Sequence, residues 1–377
     1  MKKVFSDPVI KFFISVIGLV IIFIVLRELQ HIFIPFIIAV FLFFVFEPLN
    51  KLLRNKRIPS GLTIIIDLII MISLIWGISR IIVDSFSRFG KEITVYERKL
   101  NSIVIDTAHS LGLDDPVFTE FNLSGILENL DYGGIAGTFF TSTLSIFSTT
   151  FFVLFFFIFI SVGYKNLYEV IKNRFVERQV KGSLKSAKTK IKKVPKDENE
   201  SLNTLDNIKI VREEQIEKTF KDITSQVQRY IATKFLVSLL TGVLAGFILW
   251  LFGVDFFIVW AVFTLLFNFI PNIGSVIAVI LPALMTLVQY ESLGYAILVA
   301  AILITIQTII GNGLEPKIFG DRLGLNPLVI LLSLLLWGYI WGIVGMFLSV
   351  PLTAVAKIIM SNSNSENVHF LSDLMGN

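Results

Sequence analysis

The chain contains no cysteine and only three histidines in 377 residues. Without Cys there is no disulfide, no iron–sulfur cluster and no thiol chemistry. His31, His109 and His369 stand far apart and give no pair at helical spacing, so a zinc-type centre lacks clustered ligands. All three are expected at surface or interfacial positions. Charge is also scarce: Asp, Glu, Lys and Arg make up 16% of the residues, against roughly 25% in soluble proteins. No Gly-rich phosphate loop, His-Glu-x-x-His or nucleophile elbow is present. ATP-driven work and hydrolysis lack their residues, so the sequence predicts no enzyme, no metal and no cofactor.

What is abundant is apolar. Hydrophobic residues make up 54% of the chain and Phe alone contributes 36, for a mean hydropathy of +0.78. A water-soluble core cannot hide that much apolar surface. The composition excludes a soluble enzyme, a nucleic-acid binder and a disordered scaffold, and predicts an all-α polytopic protein with the lipid bilayer as its solvent. The net charge of +4 then reports basic cytoplasmic loops.

Apolar runs at 9–26, 32–46, 62–83 and 139–162 read as four spans, the first an uncleaved anchor. The second is expected to stop at Glu47-Pro48. A basic loop (Lys51, Arg54, Lys56, Arg57) separates the second from the third. Residues 84–138 carry polar side chains at helical intervals and a net charge of −5, whereas 163–230 carries +6. The positive-inside rule therefore puts the N-terminus, 47–60 and 163–230 in the cytoplasm and 84–138 outside. Within 163–230, the run 181–196 is a basic linker that contacts anionic lipid or is simply solvated. Positions 208, 211, 216, 220, 223, 227 and 230 trace an amphipathic helix leading into the membrane.

The second half, 231–360, holds a span at 231–252, a turn at Gly253-Val254-Asp255, an apolar stretch 256–290 broken at 270–275, a span at 293–310, the polar segment 311–317, and an apolar stretch 327–359 broken around Gly338, Gly342 and Gly345. Residues 361–377 form a cytoplasmic tail. A break within about 35 apolar residues is either a loop between two spans or the tip of a re-entrant hairpin. Arms of about 15 residues reach roughly 22 Å, which suits the hairpin. An offset of 69 pairs Gly242 with Gly311 and Pro282 with Pro351. With a hairpin after the first span, the second unit is inverted relative to the first, and binding sites in inverted repeats lie where broken elements meet. The expected architecture is two hairpins in an inverted repeat (231–360) beside a scaffold at 1–162.

Four stretches resemble the AI-2E family of membrane transporters: Ile58-Pro59-Ser60-Gly61-Leu62; Gly253-Val254-Asp255 with Asn268-Phe269-Ile270-Pro271-Asn272-Ile273-Gly274; Leu314-Glu315-Pro316-Lys317-Ile318-Phe319-Gly320 continuing through Leu323-Gly324-Leu325-Asn326-Pro327; and Leu331 through Val350-Pro351-Leu352. The family often has Tyr where Asn272 stands and Pro where Ser275 stands, and the linker at 180–207 is longer than usual. The resemblance implies export of a small solute across the plasma membrane by alternating access, with the quorum-sensing signal autoinducer-2 as namesake. Some relatives are sodium/proton antiporters. An ion or solute channel and a membrane interaction protein acting through 84–138 are the rival classes. The expected partners are a small solute or cations, lipid, and further copies of the chain in a homo-oligomer.

The candidate site residues follow from the breaks. Asn268, Pro271, Asn272, Gly274 and Ser275 surround the first, and Gln307 and Asn312 lie on or near the next span. Their polar groups either bind a hydroxylated ligand or satisfy freed backbone. Glu315 and Lys317, flanking Pro316, are either a substrate or gating pair or an exposed loop ion pair. Asp67 is an acid well inside an apolar run, a candidate for proton or ion coupling with Glu315, unless it reaches the headgroups. Gly242 and Gly246, with Gly338 and Gly342, have the small-residue character of helix packing positions.

Overall fold

The computed structural model describes residues 8–113, 145–164, 198–270, 273–319, 325–361 and 366–376, with a few isolated positions beside them. These are helical throughout, apart from one isolated bridge between Leu325 and Gly376. The helices are α1 (Pro8–Glu28), α2 (Gln30–Asn55), α3 (Ser60–Ser110), α4 (Ser145–Tyr164), α5 (Glu198–Leu251), α6 (Phe257–Phe267), α7 (Ile273–Tyr290) and α8 (Leu293–Thr308). A π-helical turn (Ile309–Leu314), α9 (Glu315–Phe319), α10 (Pro327–Ser361) and α11 (Glu366–Leu374) complete the chain. Among the described residues, seven helices are long and apolar enough to cross a bilayer, so this is a multi-pass membrane protein. Its outer surface carries side chains such as Ile21, Ile69, Phe159 and Leu335, all more than half exposed, whereas its interior holds many small and hydroxylated residues, as expected where lipid replaces water.

Three expected boundaries move. α2 does not stop at Pro48 but continues to Asn55, with Pro35 and Pro48 inside it. Each proline removes one helix hydrogen bond, a loss that helices packed in a bilayer tolerate. α3 does not end near residue 83: hydropathy falls there, but the helical period persists for 27 more residues, and the single helix is 51 residues long, about 77 Å at 1.5 Å per residue. It closes at Gly112 (φ 66), where Leu113 N–H donates to the Ala108 carbonyl and Gly112 N–H to that of His109, a Schellman stop. Likewise, the polar segment, amphipathic helix and span between 198 and 251 form one 54-residue helix. The charge-balance segments at 116–144 and the linker at 171–197 lie outside the described residues.

Both broken stretches fold back. α6 has 11 residues, about 16 Å, too short for a ~30 Å hydrocarbon layer. Its base is tied to the base of α7: Asp255 N–H donates to Gln289 Oε1 at 2.8 Å, Gln289 Nε2 donates to Gly253 O at 2.9 Å, and Tyr290 Oη donates to Phe252 O at 2.9 Å. The chain reverses between Asn268 and Gly274. In α10 the reversal sits at Trp341 and Gly342, whose φ of +61 favours glycine. Its arms run side by side, since Ser333 Oγ donates to Ser349 O at 3.1 Å and lies against Thr353 Oγ1.

The two tips share one device. A Cβ added at Gly274 would overlap the Phe267 carbonyl, and one at Gly345 would overlap the Trp337 carbonyl. Each glycine lets the returning arm pass directly over the end of the first. The bases of the two hairpins lie at different levels of α5. The first has its base at the C-terminal end of α5. The second has its base residues Ala354 and Ile358 against Val227, Tyr230 and Ile231, and its tip under the α1–α2 junction, where Trp341 Nε1 donates to Leu26 O at 2.9 Å. The hairpins meet where the rings of Phe267 and Phe347 stack at 6.2 Å.

Gly274→Ala and Gly345→Ala are each expected to destabilise the protein by at least about 2–3 kcal/mol through overpacking against backbone. Gly294→Ala, with open space around it, is expected to change stability by no more than about 1 kcal/mol, in the stabilising direction. Thermal melting in detergent of the three variants checks this ranking.

Candidate functional site

One face of α5 carries a polar stripe inside its apolar segment. Tyr230, Lys234, Ser238 and Thr241 follow one another at spacings of four, four and three, so they line one side of the helix. All four are buried, Ser238 completely. Their burial follows from packing: α6 lies against Gly242 and Gly246, where an added Cβ would come within 2.8 Å of Ala261 O and 2.7 Å of Ala261 Cβ. That close approach brings the first hairpin tip down onto the stripe.

Two elements from elsewhere in the chain converge on it. Asn268, at the first tip, donates from Nδ2 to Ser238 Oγ at 3.0 Å. Glu315, at the junction of the π turn and α9, accepts from Lys234 Nζ at 2.6 Å, with the lysine side chain 8% and the carboxylate 24% exposed. Lys234 and Ser238 are one turn apart, so the hairpin tip and the Glu-Pro-Lys segment are anchored on adjacent turns. The lysine charge is neutralised by a short, charge-assisted bond, as an ionisable side chain within an apolar helix requires. Thr264 Oγ1, buried on α6, has no hydrogen-bond partner among the described residues.

The other sequence-derived candidates lie apart from this convergence. Glu315 does not pair with Lys317, because residues two apart on a helix point in different directions; Lys317 is exposed. Asn312 is exposed on the π turn, Gln307 is half-buried at the end of α8, and Ser275 is half-buried in the first turn of α7. Pro271 and Asn272 lie outside the described residues, as does the side chain of Pro316. A Cβ added at Gly338 would meet the flexible Met346 side chain at 3.0 Å, while Gly342 forms the turn itself. His31 and His109 are exposed. Among the described residues there is no cluster of three or more His, Cys, Asp or Glu able to hold a metal.

Asp67 sits apart from the stripe. It is completely buried on α3 and accepts from Asn50 Nδ2 of α2 at 2.8 Å. Beyond the apolar part of α3, Tyr96 Oη lies 2.9 Å from both Glu92 and Asp255, and Lys99 donates to Gln289 O at 2.5 Å. This polar extension of α3 thus braces the base of the first hairpin. Burial first, then the bonds to the two carboxylates, raise the Tyr96 phenol above its ordinary range.

A sequence model of the AI-2E transporter family matches residues 12–196 and 204–365. The chain belongs to the AI-2E transporter family. It is 30% identical over 354 residues to a "Putative transport protein" of Haemophilus influenzae, covering 93% of this chain and 92% of that one. Similar identity, 30% over 337 residues, links it to a protein of the same description from Borreliella burgdorferi, covering 88% of this chain and 82% of the relative. The AI-2 transport protein TqsA of Escherichia coli is 43% identical over 137 residues, which are 36% of this chain and 40% of TqsA. Membership makes this AI-2E protein a transporter by family.

Lys234→Met alone leaves Glu315 half-buried without its cation and is expected to cost about 3–5 kcal/mol. The double variant Lys234→Met/Glu315→Leu is expected to regain most of that loss; a double-mutant cycle of melting curves measures the coupling. At the α3 brace, the raised Tyr96 phenol stabilises the fold fully below the ordinary phenol pKa of about 10. That contribution is lost as pH rises through the higher value of the folded state. The stability difference between wild type and Tyr96→Phe is expected to shrink only under strongly alkaline conditions, read from melting curves across pH.

Proposed function

We propose that this AI-2E protein is a secondary exporter of a small polar solute working by alternating access, with autoinducer-2, the solute in TqsA's name, as the first candidate cargo. The observation that carries this reading is the convergence on one buried polar stripe of α5 of a hairpin tip, through Asn268 and Ser238, and the π-turn segment, through Glu315 and Lys234. A site so placed can be uncovered from either end of α5 by withdrawing one hairpin at a time. On this reading the two hairpin units are an inverted repeat, and residues 231–360 move against a scaffold of 1–162 that also supplies the contacts of a homo-oligomer. Hydroxyl and amide groups beside a lysine–glutamate pair suit a hydroxylated solute, which exchanges hydrogen bonds with Ser238, Thr241 and Asn268.

Lacking a nucleotide-binding loop, the exporter draws on a solute or ion gradient. The charge balance of its loops supports a plasma-membrane orientation with both termini, 47–60 and 163–230 in the cytoplasm. A second reading, sodium/proton exchange, is favoured by the buried carboxylate of Asp67.

Counterflow in proteoliposomes separates these readings. Vesicles preloaded with autoinducer-2 are expected to accumulate labelled autoinducer-2 transiently, and Ser238→Ala and Asn268→Ala are expected to reduce the rate at least tenfold while the protein stays folded. Counterflow of sodium against protons without solute movement favours exchange. Unsaturable flux without counterflow points to a channel and overturns the carrier reading.

A further inference from the structure

The scaffold holds a polar pair that the stripe on α5 does not explain. Asn50 and Asp67 are 5% and 0% exposed and lie on successive helices, α2 and α3. Asn50 Nδ2 donates to Asp67 Oδ2 at 2.8 Å. The remaining oxygens of both side chains, Asn50 Oδ1 and Asp67 Oδ1, are buried with no hydrogen-bond partner among the described residues. An amide oxygen and a carboxylate oxygen are both acceptors, and two buried acceptors left unpartnered on a bonded pair are costly. One hydrogen placed on Asp67 Oδ1 removes both deficits: the acid O–H donates to the amide oxygen while the amide N–H donates back to the acid.

The surroundings favour a neutral Asp67. Glu47 is also buried, one turn before Asn50 on α2, and accepts from Arg54 Nη2 at 2.7 Å, with Lys51 Nζ at 4.0 Å. These two cations serve Glu47. Arg54, already bonded to Glu47, is shared electrostatically with Asp67, which has no ion pair of its own among the described residues. Access for a proton is also present. A cavity of about 920 Å³ with several charged side chains in its wall opens one turn away, lined among others by Glu47, Arg54, Gly61, Ile64 and Ser161. Gly61 and Ile64 precede Asp67 by two turns and one turn on α3, and the buried Ser161 Oγ has no partner among the described residues. Besides Glu47, Lys51 and Arg54 of α2, the charged groups lining this cavity are Lys221 of α5 and Glu169 beyond α4.

We propose that Asn50 and Asp67 form a proton-binding site, in which a single proton from the adjoining cavity closes a two-bond acid–amide ring that joins α2 to α3. The site does not depend on which solute is carried. It is a release point: loss of the proton leaves a bare carboxylate facing an amide oxygen and opens the joint between the two helices.

The test uses the full chain in lipid and reads infrared difference spectra alongside thermal stability. At neutral pH, wild type shows the carbonyl stretch of a buried carboxylic acid, Asp67→Asn lacks it, and Asn50→Val shifts it to higher frequency because the hydrogen-bond partner is gone. Asp67→Asn supplies an N–H where the acid had its O–H, so it keeps wild-type stability at neutral pH and loses the wild-type fall in stability as pH rises. Absence of the acid band in folded wild type overturns the proposal. A carboxylate band that responds to sodium chloride but not to potassium chloride, together with destabilisation of Asp67→Asn, overturns it in favour of a metal cation at the same oxygens. If Asn50→Val fails to fold, the wild-type band and the Asp67→Asn comparison still decide. Should the band be present while counterflow fails, the proton site stands and the carrier reading falls.

Discussion

In a hydrocarbon medium a peptide group released from a helix has no water to bond with, and this constraint organises the whole second half of the chain. Two chain reversals occur inside apolar stretches, at 268–274 and at Trp341–Gly342. Each must be walled off by protein. Glycine at 274 and 345 lets the returning arm cover the end of the first arm at backbone contact, and the neighbours complete the enclosure: α5 with Ser238 over the first tip, and the α1–α2 junction with Leu26 over the second. The hairpins could not exist without α5 and the scaffold around them, which is why elements far apart in sequence form one bundle.

The same constraint accounts for the polar stripe. Lys234 can lie in an apolar helix because Glu315 reaches it, and Glu315 can reach it because the chain widens into a π-helical turn at 309–314 before starting α9. A segment that hydropathy presents as a polar loop is a helical device that turns a carboxylate inward. Asn268 and Ser238 add a second bonded pair to this small set of groups. Such a set holds its arrangement without solvent and could exchange those bonds for a ligand's.

Much of this was legible in the sequence, and the parts that were not have identifiable reasons. The hairpins were readable because Pro271 with Gly274, and Gly342 with Gly345, interrupt apolar stretches too short for paired spans. The stripe at 230, 234, 238 and 241 was equally available through its spacing, but averaging over a window that long dilutes one lysine among many apolar residues. Adjacency misled at Glu315 and Lys317, since neighbours on a helix diverge and the true partner lies 81 positions away. The ends of α2 and α3 differ from the hydropathy pattern for opposite reasons: Pro48 is tolerated inside a packed helix, and the helical period of α3 outlasts its apolar run. Asn50 carried no signal at all, because its meeting with Asp67 depends on the register of two helices across a turn.

Between Glu198 and Thr241, α5 contains neither glycine nor proline, the residues at which helices most often bend. Its polar first half and its membrane half are therefore one stiff shaft, with Lys234 and Ser238 mounted partway along it. Tilting or twisting the N-terminal end carries both anchor points with it by the same angle, and so pulls on the Glu315 segment and the first hairpin together. An event acting on that end needs no relay of intermediate contacts to be felt at the buried residues.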